Sequence, residues 1–347
     1  MKRVVIFFSL SLLCFARAAK SDGLNLFSDP TAHAWKLFAQ LNQPVPNDPE
    51  GRVVWETWML GRTVFANPNE KPVWNPLTPA VRTEETLEAM PLQLLVRKRL
   101  LETGKKGPGQ VPAIDPNVGE GNETRMNEPA FRFIADNDLY YAEGIETFAK
   151  AGKKFDFPPE AIEVKAQWRR IRPPADAAKY HTAKVKRENG QEETWGLTSM
   201  HLTTKEVPNW FWATFEHRDN PSRESVNKDV QPQKQPEAFR GTKWENYVLR
   251  GAQIEFTDSM GRPTILSSSQ IERSFQTSSC ITCHALATVN WQQPASDGIN
   301  SLTFFDENGN APLGVPNTAL FKIENGKPAF QQVDFVWSFF RAKRRNP

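Results

Sequence analysis

The chain has 347 residues, 43 Lys and Arg against 40 Asp and Glu, and a formal net charge of +3. Only three cysteines occur, too few for a disulfide scaffold in a chain of this size. The length suits one large domain or two intimate lobes, and 11 Trp and 23 Phe are enough to fill a core.

The N-terminus sets the expected compartment. Lys2 and Arg3 precede the apolar run "VVIFFSLSLLCF" and the small-residue end "ARAA". This is the pattern of a secretory signal peptide over residues 1–19, cleaved near Ala18 or Ala19. The run is short for a bilayer span, and Leu13 before Cys14 speaks against a lipoprotein site. Removing Lys2, Arg3 and Arg17 with the leader leaves 40 basic against 40 acidic residues. The expectation is therefore a periplasmic protein with no transmembrane segment in the mature chain and no case for nucleic-acid binding.

In chain order, "DPTAHAWKLFAQLNQP" predicts a helix after an Asp-Pro start. "VVWETWMLGRTVF" predicts a second, "TEETLEAMPLQLLVRKRLLETGKKG" a third, and "EPAFRFIADNDLYYAEGIETFAKAG" further helix. Residues 66–80 and "GPGQVPAIDPNVGEGNET" read as loops. Past residue 157 the texture changes. "IEVKAQWRRI", "YHTAKV", "TWGLTSMHLTT" and "NWFWATFEH" are short, aromatic and β-branched, and read as strands. The polar stretch 220–243 reads as a surface insertion, and "DENGN" at 306–310 as a turn. "IERSFQTSSCITCHALATV" predicts one or two helical turns around its cysteines, and "QQVDFVWSFFRAKRR" a closing helix. The expected class is α+β, with a mainly helical N-terminal region (20–156) and a β-rich region (157–347). The latter contains a small helical segment near the C-terminus, about 265–347, and the whole forms one integrated unit.

Cys280, Cys283 and His284 form C-x-x-C-H, the sequence sign of covalent haem attachment. Two cysteines three residues apart on a helical turn face one side, and the histidine that follows can ligate iron. The rivals are weaker. A redox dithiol should follow a buried strand, whereas polar "RSFQTSS" precedes this one. A zinc site needs four ligands, and no second cysteine pair exists. The expected cofactor is one covalent haem c with its iron.

The sixth position is open at this stage. No His follows His284 and no Met follows Met260, so a second ligand must come from upstream. Met200 and His201 are adjacent in a candidate strand and point to opposite faces. His217 ends the next strand, and Met126, Met260 and His181 are weaker candidates. Alternatively the position is vacant.

The segments "AWKLFAQLNQP", "VVWETWM", "IEVKAQWRRI", "WGLTSMHL", "PNWFWATFEHRDN", "SSCITCH" and "DFVWSFFRA", in that order, resemble a family of exported bacterial cytochrome c proteins with a single C-terminal haem motif. The resemblance spans most of the mature chain. It implies export and haem attachment but supplies no substrate. In that family the position of His201 is typically His and that of Met200 another apolar residue, which favours His201. Three functions are compatible: an electron carrier serving a periplasmic redox partner, a peroxidase- or oxygenase-type enzyme or gas sensor with an open site, and an aromatic-rich binding protein.

Overall fold

The computed structural model describes residues 23–75, 82–83, 86–87, 120–172, 174–220, 235–272, 276–303, 310–321, 323–324 and 327–345. The expected signal peptide, most of the helix expected over 83–107, most of the insertion at 220–243 and most of "DENGN" lie outside the described residues, as do parts of both expected loops.

Eight strands form one curled mixed sheet. They are β1 (Met59–Leu60), β2 (Arg82–Thr83), β3 (Glu120–Met126), β4 (Ile162–Arg170), β5 (Thr182–Lys186), β6 (Glu192–Thr204), β7 (Phe211–His217) and β8 (Tyr247–Gln253). The path runs β1-β3-β4-β6-β5-β2, and β7 and β8 attach beyond the second half of β6. Only β2–β5 is parallel among these pairs. The long strand β6 is the hinge of this arrangement. Its register with β4 shifts between Gln167 and Trp168, leaving Thr198 as an extra residue. That bulge reverses the alternation, so Leu197 and Met200 both enter the same apolar core despite their odd–even spacing.

One face of the sheet packs against α2 (Pro30–Leu41), preceded by α1 (Gly23–Ser28). The Asp29 side chain accepts from Ala32 N, Pro30 takes the first helical turn, and Trp35, Phe38 and Leu41 turn inward. Phe38 stacks on Phe215 of β7, ring centres 4.2 Å apart. On the other side, α4 (Glu128–Asp136), α5 (Ala142–Lys150) and the C-terminal segment share a second core with Trp210 and Phe339. The short α3 (Gly61–Val64) lies between β1 and these elements.

The helical N-terminal half expected from sequence is not what forms: the structure is β-rich, and β1, β2 and β3 from that half belong to the sheet. "VVWETWMLGRTVF" becomes a 3-10 turn (Val54–Thr57), β1 and α3. Glu56 turns inward, accepts from Val53 N and pairs with Arg82, which closes the chain into a short turn. Residues 120–126, polar and glycine-bearing, pair along their length with β4. Tertiary pairing overrides propensity there, because Glu123 and Arg125 are buried as a mutual ion pair. The expected closing helix is a 3-10 turn, Trp337–Arg341, because Asp334 and Phe335 just before it adopt φ of 53° and 65°. The helix expected at the cysteines does form, as α6 (Cys280–Ala285).

Gly144 in α5 shows how tightly this second core is closed. A Cβ there would stand 1.9 Å from the Asp138 carbonyl oxygen and 3.0 Å from the Tyr141 ring. Gly144→Ala is expected to lower stability by about 1–3 kcal/mol, the usual range for overpacking. Urea unfolding checks this, and a variant as stable as the parent would contradict the close approach. The effect reaches the C-terminal tail, since Glu143 and Glu146 of α5 hold Arg344.

Candidate functional site

The C-x-x-C-H segment is fastened to the sheet by its own small side chains. Ser279 caps α6 by accepting from Thr282 N. Gln253, the last residue of β8, receives Ile281 N on Oε1 at 3.0 Å and donates through Nε2 to Ser279 Oγ at 2.8 Å. Thr282 Oγ1 donates to Gly314 O at 2.7 Å. Cys280 and Cys283, half-buried and not bonded to each other, face one cleft together with His284. The cleft holds about 1100 Å³ of space, open solvent at its mouth included.

His284 is held in a defined state. Its Nδ1 lies 2.7 Å from the Phe335 carbonyl oxygen. A carbonyl only accepts, so Nδ1 carries the proton and Nε2 presents a bare lone pair. Burial keeps the imidazole neutral and pushes its pKa down to about 3. The Trp212 ring packs 4.4 Å from it, and Trp337 Nε1 donates to the Cys283 carbonyl at 3.1 Å. The positive-φ turn that presents Phe335 is pinned through Asp334, which accepts from Lys205 Nζ, from Phe157 N at 2.7 Å and from Trp210 Nε1 at 3.3 Å. Second-sphere orientation of this kind is typical of metal-ligating histidines.

Burial also raises both thiols, Cys283 to about 12 and Cys280 well above its ordinary value, with Glu272's charge adding to the effect. These are not the low-pKa thiols of a redox dithiol. Among the described residues no group of three or more His, Cys, Asp or Glu side chains is arranged to hold a metal ion.

The opposite wall is the sheet itself, and strand register assembles it. Thr124, Lys165, His201 and Thr214 lie level across β3, β4, β6 and β7. One step along, Glu163, Thr203 and Trp212 form a second row. The 3-10 turn contributes Trp337, Ser338, Phe340 and Arg341 as a lid.

Of the five histidines, His201 and His284 line this cleft. Met200 points the other way into the α2 core. His217 stacks on Tyr180 at 3.7 Å and donates from Nε2 to Lys179 O at 3.0 Å. His181 sits in a buried ion cluster with Glu56 and Lys243. Met126 belongs to the second core, and Met260 is exposed on a surface turn. His201 is engaged at both nitrogens: Nδ1 is 2.8 Å from Thr214 Oγ1, and Nε2 is 3.2 and 3.3 Å from the two oxygens of Glu272. Burial alone would raise the Glu272 carboxyl, but His201 and the Ser268 N–H beside it hold it below its ordinary value.

Sequence reasoning missed Glu272, Glu163, Lys165, Trp337 and Arg341. Glu163 and Lys165 are alternate residues of a strand, so only the register that faces them to the cysteines distinguishes them from solvated positions.

The donor set fits a covalently held haem. Two thiols stand on one helical turn, a neutral imidazole offers a free Nε2, and a cleft lies between them and a second histidine. No family model, curated protein or solved structure matches the chain. Among the described residues no helix is long and apolar enough to cross a membrane.

Proposed function

We propose that this chain is an exported, periplasmic mono-haem c-type cytochrome that passes single electrons to a periplasmic redox partner protein. Cys280 and Cys283 would form the thioethers, His284 would ligate iron through Nε2, and His201 would approach from the sheet side. Haem bound there supplies a one-electron ferric/ferrous couple. The observation that carries the reading is the His284 tautomer: the Phe335 carbonyl fixes the proton on Nδ1 and leaves Nε2 facing the cleft beside both thiols. The residues around it do the rest. Trp212 and Trp337 exclude water from the imidazole and from the Cys283 backbone, and Asp334 holds the turn that carries Phe335.

A second reading has one observation in its favour. Both His201 nitrogens are already hydrogen-bonded, so the His201–Glu272 pair could serve as a distal acid–base couple beside an open sixth site. That arrangement suits peroxidase-type or gas-sensing chemistry.

The test is expression with haem-attachment machinery in a periplasm, followed by acid–acetone extraction and an optical spectrum. Haem is expected to stay with the protein in the parent and to be lost from the Cys280→Ala/Cys283→Ala double variant. If the parent retains none after extraction, the haem reading fails and the dithiol returns.

A further inference from the structure

Strand β4 turns two charged side chains into the cleft, Glu163 and Lys165. They are one strand step apart, about 7 Å. Glu163 makes a side-chain hydrogen bond to Ser338 of the 3-10 turn, and Arg341 of that turn is the cation that acts on it. One of its oxygens, Oε1, is buried and has no hydrogen-bond partner among the described residues. A buried carboxylate oxygen without a donor is costly, and a proton on the group relieves that cost. Burial raises this carboxyl to about 7, with Ser338 and Arg341 pulling the other way. The group is therefore poised between its two states near neutrality.

The other ionisable groups that face the same cleft are Lys165 on β4, His201 on β6, Glu272 from the 266–272 segment, Arg341 on the lid, and the thiols and imidazole of α6. Arg125, beside Glu163's partner Met126 on β3, is turned to the opposite face and paired with Glu123. Neither His201 nor His284 is among the groups that bond to or charge-couple with Glu163.

We propose that Glu163 is a proton-binding site coupled to haem reduction, so that the chain carries one electron and one proton together. The inference rests on the haem reading above. On reduction, a one-electron donor delivers an electron to the iron and solvent water delivers a proton to the Glu163 carboxylate. On oxidation both leave, the electron to the acceptor and the proton to solvent. The reason is electrostatic: an added negative charge in the same low-dielectric cleft raises the proton affinity of a neighbouring carboxylate. Arg341 moderates the effect without hydrogen-bonding Glu163 Oε1.

The experiment is a potentiometric titration of the haem-loaded protein, with mediators, at a series of pH values around neutrality. The midpoint potential of the parent is expected to fall with pH by up to about 59 mV per unit, since one proton per electron changes the equilibrium tenfold per pH unit. The window lies above the Glu163 pKa of the oxidised protein and below that of the reduced protein. Glu163→Gln keeps the shape, removes the proton site and is expected to flatten the slope there. Glu163→Asp keeps a carboxyl and should keep a slope in a displaced window. A pH-flat parent overturns the proposal. So does a slope that survives in Glu163→Gln, which would assign the proton to Glu272, His201 or the haem's own carboxylates. Should the variants misfold, the parent still decides: its reduced-minus-oxidised infrared difference spectrum must contain the C=O stretch of a protonated carboxylic acid, and its absence sinks the idea. Loss of covalent haem from the parent would instead sink the haem reading, so the two failures are separable.

Discussion

Replacing Arg82 by alanine is expected to cost the fold about 3–5 kcal/mol, the usual penalty for leaving buried charge without its partner. The Arg82 guanidinium bridges two acids from different strands and turns. Its Nη2 lies 2.7 Å from Glu56 and 2.9 Å from Glu123, and its Nε 3.0 Å from Glu123. The face of Trp168 lies 4.7 Å from its centre, and the Trp168 indole N–H donates to the same Glu123 oxygen. Burial on its own would raise Glu123, yet Arg125 and Arg82 beside it hold the carboxyl below its ordinary range. Burial would raise Glu56 too, and His181 and Arg82 overcome it. Both folded pKa values are thus depressed. Such groups stabilise the fold above the unfolded carboxylate pKa, and the contribution disappears as pH falls through that value towards the folded one. Denaturant melts at neutral pH and at about pH 4 or below, under the unfolded carboxylate value, should therefore show two things. The Arg82→Ala variant starts several kcal/mol lower at neutral pH, and its loss of stability on acidification is shallower than the parent's. A neutral-pH loss under about 1 kcal/mol would mean the cluster is hydrated or rearranges, and the packing described here would be wrong.

That cluster also marks where the sequence was hardest to read. Strands β4, β6 and β7 were visible because their apolar residues alternate or crowd, and α2 because Asp29, Pro30 and the spacing of Trp35, Phe38 and Leu41 agree. β3 carries Glu123 and Arg125 inside, a pattern that imitates a solvated loop until partners from residues 56 and 82 are brought to it. The fold class departs from the expected one for this reason: segments with a helix or loop pattern in the first half are strands whose pairing is decided by distant strands. The site divides in the same way. Cys280, Cys283 and His284 stand out by local spacing, and His201 is singled out from several upstream candidates only by the family resemblance; all four line one cleft. Glu163, Lys165, Glu272 and Arg341 were not legible, because each acquires its meaning only from what is folded over it. An outward position on an alternating strand ordinarily faces water; here the 3-10 turn and the haem-motif helix cover it. One face of the large sheet packs an apolar core, and the other supplies a polar wall that the short C-x-x-C-H helix could not build alone.

Replacing His201 by alanine is expected to convert a low-spin haem that ignores carbon monoxide into a high-spin one that binds it. His201 shares the cleft with His284, and its neighbours on the sheet face, Thr214 and Lys165, offer no competing imidazole or thioether. The Glu272 carboxylate only accepts, so its contact with Nε2 at 3.2 Å keeps a proton on that nitrogen, while the Thr214 hydroxyl serves Nδ1; Nε2 could ligate iron only after giving up that proton. Ligation therefore requires Glu272 to yield. Glu272→Gln removes the charge that holds the Nε2 proton and should leave the low-spin spectrum intact. The variant pair separates the two readings of the site. In an electron carrier, His201→Ala alone changes spin state and opens the iron. In an open-site protein the parent already binds carbon monoxide, and His201→Ala and Glu272→Gln both leave the spin state alone while slowing a peroxide reaction. Removing His201 also leaves Glu272 short of a partner, a cost on the order of 1–3 kcal/mol, so unfolding should be measured beside the spectra. A folded His201→Ala protein whose haem remains low-spin and closed to carbon monoxide would remove His201 from the iron and end the carrier geometry argued here.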